Sequence, residues 1–278
     1  LARSWTTCEN SVNLYLKIEH LIFDLDNTLY PASSKMDAGI TSRMIEHTAK
    51  HIGVSIEEAA KLRKERMPIY GTSLGWLMAE HNLTDVKAFF DAVHPESEID
   101  ELDFDEKLRP FLQSLALPKT VLTNSPTVHA NRVLNFFNIK DLFIFISDIE
   151  TNKLQGKPYE NSYLTAVFEK GNNLSNSLFF DDYEKYTKGY TAIGGKSVLV
   201  TDKLVFPGEN GTFNCDEIIK DFFNQKDYSK VDVEKSLPII KEKILKQNPD
   251  LLPYACISSI YDIPKLLNFL EWVANISF

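Results

Sequence analysis

Apolar residues in this chain fall either into short continuous runs or into sets at helical spacing. The continuous runs are Leu21-Ile22-Phe23, Thr120-Val121-Leu122, Leu142 to Ser147, Ser177 to Phe180, Lys196 to Val200 and Tyr254 to Ile260. Unbroken hydrophobicity of this length predicts strands buried on both faces, as in parallel sheets. Helical spacing recurs between them: Val128, Val133, Leu134 and Phe137, then patterns near 160–170 and 184–192. Strand and helix thus alternate from 119 to 200, which implies right-handed βαβ units and a parallel sheet.

The stretch after the first run breaks this rhythm. Met36, Ile40, Met44, Ile45, Thr48 and Ile52 predict a helix over 36–52. Ser55-Ile56-Glu57-Glu58 has the form of a capping box opening a second helix, with Pro68 as its expected stop. Leu74, Leu77 and Met78 predict a third near 72–81. Val86, Phe89, Phe90 and Val93 predict a fourth, ended before Pro95. The acid-rich segment 96–107 reads as a return linker, and a short helix is expected within 104–115. The chain therefore divides into an α/β core, 17–31 with 106–278, and an all-helical insert, 32–105. Between the strand at 196–200 and the run at 254–260 lies a further insertion, about 202–253. Phe222 and Phe223 mark one helix there, and Ser236, Pro238, Ile239, Ile240, Ile244 and Leu245 another. It reads as a surface insertion packed on the sheet edge or as an interaction surface.

Composition narrows the class. The 278 residues are 44% hydrophobic and 25% charged, enough to build a sizeable core. A net charge of −9 argues against nucleic-acid polymers and anionic membranes as partners. Cys8, Cys215 and Cys256 are odd in number and far apart, which suits free thiols in a reducing compartment, and a cytoplasmic location is expected. The histidines form no zinc-ligand pattern, no apolar run reaches membrane length, and residues 1–16 lack the features of a signal peptide. The expected state is a monomer or homodimer.

Where the runs end is where chemistry gathers. The first passes into Asp24-Leu25-Asp26, two carboxylates on alternate positions that can address one small volume as the chain leaves a strand. One can serve as nucleophile or metal ligand while the other moves protons. A strand ending in an acidic turn would look the same. Thr123-Asn124-Ser125 follows the second run and precedes a helix, which fits either a phosphate-binding helix start or an ordinary N-cap. Gly156-Lys157-Pro158 lies between a strand and a helix. The fourth run ends in Asp181-Asp182, adjacent carboxylates whose repulsion calls for a cation such as Mg²⁺.

These endings, in this order, resemble the haloacid dehalogenase (HAD) superfamily over roughly 20–200. The string D-L-D-N-T-L-Y carries most of the likeness. The resemblance implies a Rossmann-like, doubly wound parallel sheet with the insert 32–105 as a helical cap of the C1 type. It implies Asp24 as nucleophile, Asp26 as general acid–base, Lys157 bridging phosphate to nucleophile, and Thr123 and Asn124 holding the phosphoryl group. Asp24, Asp26, Asp181 and Asp182 would hold Mg²⁺. The expected activity is that of a phosphoric monoester hydrolase acting on a small-molecule phosphate through an aspartyl-phosphate. D-N-T-L-Y-P, Y-G-T-S, T-N-S-P-T-V-H-A, G-K-P and F-F-D-D look like the pyrimidine 5′-nucleotidase group in particular, and suggest a pyrimidine nucleoside monophosphate as substrate. Tyr70-Gly71-Thr72-Ser73 would then be the substrate-facing turn, with Gly71 and Thr72 as candidates, or else a plain helix–helix turn. Tyr186 stands where such proteins carry Asn. A sugar phosphomutase shares the same residues, and a non-catalytic scaffold binding a partner protein is the alternative outside enzymes.

Overall fold

The computed structural model describes residues 18–32, 34–201, 205–206, 213–214 and 254–274. Residues 1–16 and nearly all of the insertion expected at 202–253, including its two helices, lie outside them. The fold is α/β and Rossmann-like: parallel strands flanked by helices. The chain forms two compact units, one of residues 22–171 and the other of 1–21 with 172–278.

The unit 22–171 holds β3, β2 and the end of β1, in the strand order β3-β2-β1. β1 is His20–Phe23, β2 Lys119–Leu122 and β3 Phe145–Ser147. β2 and β3 run parallel, with Thr120 opposite Phe145 and Leu122 opposite Ser147. Ile22, Phe23, Leu25, Val121 and Leu122 are wholly buried, as continuous apolar runs require. β3 is shorter than the expected 142–147. Lys140–Leu142 forms a 3-10 turn and Ile144 is 44% exposed, so the front of that apolar run turns outward before pairing begins.

The insert is helical. α1 spans Lys35–Ile52, α2 Ile56–Tyr70, α3 Ser73–His81 and α4 Val86–Val93. Ser55 accepts from the Glu58 N–H and caps α2, while Thr72 and Asp85 do the same for α3 and α4. Pro68 does not stop α2, which continues to Tyr70. It sits in the last turn, so the hydrogen bond it removes and the clash of its ring disturb only the end of the helix. Gly71, at φ +77, makes the stop by entering conformational space that L side chains avoid. The return passes through a 3-10 turn, Glu96–Glu101, to α5, Leu108–Ser114. α6, Thr127–Phe136, and α7, Glu160–Phe168, complete the unit. Val133, Leu134 and Phe137 are buried from the α6 side and Tyr163 and Val167 from α7.

In the other unit β4, Ser177–Asp181, pairs in parallel with β5, Lys196–Val200, which pairs in parallel with β8, Tyr254–Ile257. The short β6, Val205–Phe206, runs antiparallel to β8 and to β7, Phe213–Asn214. α8, Glu184–Ala192, and α9, Ile263–Ala274, are its helices. The last strand ends at Ile257 rather than at 260, because residues 260–262 form a 3-10 turn. Among the described residues no helix is long and apolar enough to cross a membrane, and Cys256 is buried.

Candidate active site

β1 ends at Phe23, so Asp24 is the first residue beyond the ladder. The chain then turns tightly: the Leu29 N–H donates to the Leu25 carbonyl, and Asn27 adopts a left-handed φ of +64, which Asn tolerates better than most side chains. That turn sends the two carboxylates into different surroundings.

Asp24 is 6% exposed. Lys157 Nζ donates to its Oδ1 at 2.5 Å, and the Thr28 hydroxyl lies 3.4 Å from Oδ2. Burial pushes the Asp24 carboxyl above its ordinary range, against the pull of the Lys157 ammonium. Asp26 points elsewhere. His129 Nε2 and the Tyr30 hydroxyl meet its Oδ1 at 2.7 and 2.5 Å, and the Ser125 hydroxyl donates to Oδ2 at 2.6 Å. Burial alone would raise this carboxyl too, but the charge of His129 and the donors from His129, Ser125 and Tyr30 hold it well below the carboxylate range. Of the two carboxyls, burial therefore raises Asp24, while charge and donors lower Asp26.

Lys157 is 1% exposed, so it is no solvated surface charge. Its backbone is gripped at both ends by one side chain: the Lys157 N–H donates to Asn124 Oδ1 at 2.6 Å, and Asn124 Nδ2 donates to the Lys157 carbonyl at 2.9 Å. This close approach needs Gly156, since a Cβ there would lie 2.1 Å from Asn124 Oδ1. The Asn124 carboxamide therefore acts on Lys157. Thr123, 1% exposed, accepts the Ser125 N–H on its hydroxyl at 3.0 Å. The start of α6 is partly occupied as well, since the Thr127 N–H donates to Glu150 Oε1 at 2.9 Å.

The helical insert reaches this loop at the turn between α2 and α3. A Cβ on Gly71 would come 3.2 Å from Pro158 Cδ and 3.4 Å from the Lys157 carbonyl oxygen, so the turn between α2 and α3 abuts the Lys157 loop. The Thr72 hydroxyl accepts the Gly75 N–H at 3.0 Å, which is the ordinary capping role. Of the expected site residues, Asp24, Asp26, Thr123, Asn124, Lys157, Gly71 and Thr72 thus belong to one unit, and Asp24, Lys157 and Asn124 form one chain of contacts. Asp181 and Asp182 belong to the other unit, at the end of β4. Asp181 is wholly buried and accepts the Tyr183 N–H at 2.8 Å. A buried carboxylate beside a second is the hard oxygen donor set that Mg²⁺ takes. Tyr186, in α8, packs edge-on to Tyr183 with ring centroids 4.9 Å apart.

Tyr30, Ser125 and His129 were not expected as partners of Asp26. All three sit inside strings that carry the likeness, D-N-T-L-Y-P and T-N-S-P-T-V-H-A. The signal was a histidine and two hydroxyls close behind motif residues, but spacing alone could not aim them at one carboxylate.

The haloacid dehalogenase-like hydrolase family matches residues 18–184. The chain is 26% identical over 237 residues to phosphate metabolism protein 8 of Saccharomyces cerevisiae, covering 79% of this chain and 71% of that protein. It is also similar to the crystal structure of a HAD phosphatase from Thermococcus onnurineus, with a TM-score of 0.52 at 12% identity, covering 90% of this chain and 98% of that one. With the family match spanning more than half its length, this chain belongs to the haloacid dehalogenase-like hydrolases.

Proposed function

We propose that the protein is a Mg²⁺-dependent phosphatase that removes phosphate from a small phosphomonoester through an aspartyl-phosphate on Asp24. The observation that carries this reading is the buried pair of Asp24 and Lys157, 2.5 Å apart. A carboxylate meant only for structure gains little from burial against an ammonium, since desolvation offsets the attraction. A nucleophile gains much: the ammonium keeps it anionic and can bind the entering phosphoryl oxygens. In this reading Asp24 attacks phosphorus; Asp26, ionised in the free site, takes up a proton with the phosphomonoester monoanion, passes it to the leaving oxygen, and as the carboxylate then activates water against the acyl phosphate. Asn124 serves by holding Lys157 in place, and the buried Thr123 is the hydroxyl candidate for the phosphoryl group.

Asp24, the backbone carbonyl of Asp26, Asp181 and Asp182 are the proposed Mg²⁺ ligands. The ion would supply neutralisation of the charge that develops on the phosphoryl oxygens.

Residues 32–105 are proposed to act as a helical cap, with linkers at Pro31–Ser34 and 98–105 as its hinge. The contact of Gly71 with the Lys157 loop supports the α2–α3 turn as the part nearest the substrate. The group resemblance makes a pyrimidine nucleoside monophosphate the first substrate to try, in a cytoplasmic protein that is a monomer or homodimer. The test is turnover of an aryl phosphate with Mg²⁺, followed by a panel of metabolite phosphomonoesters. Activity on the aryl ester and a preference within the panel are expected. No turnover of any phosphomonoester by folded, Mg²⁺-supplied protein would overturn the reading.

A further inference from the structure

Behind Asp26 runs a chain of buried ionisable side chains that the proposed chemistry leaves without a task. His129, on α6, meets Asp26 through Nε2 at 2.7 Å. Its Nδ1 lies 3.0 Å from Glu98 Oε2, close enough to pair in charge but outside the alignment of a good hydrogen bond. Glu98 sits in the 3-10 turn by which the helical insert returns to the core. It also takes His94 Nδ1 on Oε2 at 2.9 Å and Arg132 Nη1 on Oε1 at 3.0 Å. His129 and Glu98 are 0% exposed, and His94 is 3% exposed.

Two carboxylates face the two ring nitrogens of His129. A carboxylate cannot donate, so both nitrogens keep their protons and the ring is an imidazolium held between acids. His94, Glu98 and His129 could in principle share a metal ion. Arg132 already places a fixed positive charge on Glu98, however, and the other edge of His129 is taken by Asp26, so the group is complete as an ion-paired chain. Such a chain is poor value as core packing, because apolar side chains of equal volume would do as well or better. What it does achieve is rigidity at its end. His129 and Tyr30 pin one oxygen of Asp26 and Ser125 pins the other.

We propose that His129, braced from behind by Glu98, is the positioning residue for Asp26, fixing the plane in which that carboxyl meets the leaving oxygen. The inference rests on the reading of Asp26 as general acid–base. Its consequence concerns leaving groups. A mispositioned acid matters greatly when the departing oxygen is a basic alkoxide and little when it is an activated phenolate.

The experiment compares kcat/KM for glycerol phosphate and for 2,4-dinitrophenyl phosphate in folded, Mg²⁺-supplied protein. His129→Phe should lower the alkyl value by about 10- to 100-fold, the size usual for loss of an orienting partner, and the aryl value by less than about threefold. His129→Gln, which keeps an N–H donor, should recover much of the alkyl loss. Glu98→Gln, nearly isosteric, should give a smaller split of the same sense and serves if His129→Phe fails to fold. Equal losses on both esters in these variants, with Asp26→Asn still splitting them, would overturn the positioning role alone. Equal losses in Asp26→Asn would overturn the acid–base reading beneath it, and the inference with it.

Discussion

Gly156→Ala tests whether the site depends on backbone proximity rather than on its charged groups alone. The added Cβ would lie 2.1 Å from Asn124 Oδ1 and 2.7 Å from Ile149 Cδ1. Neither atom can yield without cost, because Asn124 is bonded to both ends of the Lys157 peptide and Ile149 is 1% exposed. Losing the two Asn124 bonds costs about 1 kcal/mol each, and overpacking adds about 1 kcal/mol, so the expected loss of stability is roughly 2–3 kcal/mol by urea unfolding. The effect on rate should be larger. Lys157 Nζ is placed 2.5 Å from Asp24 Oδ1 by the backbone that Asn124 holds. A shift of about 1 Å in a catalytic group costs on the order of 100-fold, so kcat on an aryl phosphate should fall by about that factor. A double-mutant cycle sharpens the test. Once Asn124→Ala has removed the clamp, adding Gly156→Ala should cost much less than it does alone. Strict additivity, or Gly156→Ala with wild-type rate and unfolding midpoint, would refute the clamp argument.

Other outcomes are expected. Asp24→Asn should keep the fold and lose turnover, since an amide cannot attack phosphorus; more than a few per cent of residual rate would remove Asp24 as nucleophile. Asp182→Ala should raise the Mg²⁺ concentration needed for half activity more than it raises KM, which a metal titration at fixed substrate would read. Replacing Gly71 and Thr72 with Ala should change preference among nucleoside monophosphates more than rate on an aryl phosphate; equal losses would leave the turn structural. His20 is wholly buried against the Ser177 hydroxyl, and burial lowers its pKa to about 4. The unfolded chain then binds the extra proton between about pH 4 and 6.5, so stability falls as pH drops through that window, by at most about 1.4 kcal/mol per pH unit. Unfolding midpoints of His20→Gln should lose this part of the slope, and an unchanged slope would clear His20 of the effect.

What the sequence made legible was whatever depends on local pattern. α8 was expected near 184–192 and spans Glu184–Ala192, and β5 was expected at 196–200 and occupies it, because burial on both faces leaves an unbroken apolar signature. The apolar run at 142–147 misled for the same reason: continuity cannot tell a strand from the turn that leads into it. Pro68 misled because its effect depends on how close the helix is to its end, which propensity does not encode. In the site, Asp24 and Lys157 stood out as residue types at suggestive strand ends. The contacts of Asn124 with Lys157 and of His129 with Asp26 did not, since each joins residues far apart in sequence. Asn124 grips Lys157 and His129 grips Asp26, and only the fold brings those pairs together.

The two carboxylates of Asp24-Leu25-Asp26 show how one turn can divide labour between identical groups. In the proposed roles, Asp24 as nucleophile should be anionic yet poorly stabilised, so that its electrons remain available, and Asp26 as proton carrier should be held still. Asp24 meets the first need. It is buried, its carboxyl is pushed up by desolvation, and Lys157 is the cation that opposes that push. Asp26 meets the second, with donors on both oxygens. Exchanging the surroundings would spoil both. Asp24 would lose the Lys157 ammonium, while an Asp26 without its donors could swing away from the leaving oxygen. The sharp turn at Asn27, which needs a residue tolerant of positive φ, is what lets neighbours two residues apart occupy such different environments. The short string that carries the family likeness therefore encodes more than two acids: it encodes the turn that separates them.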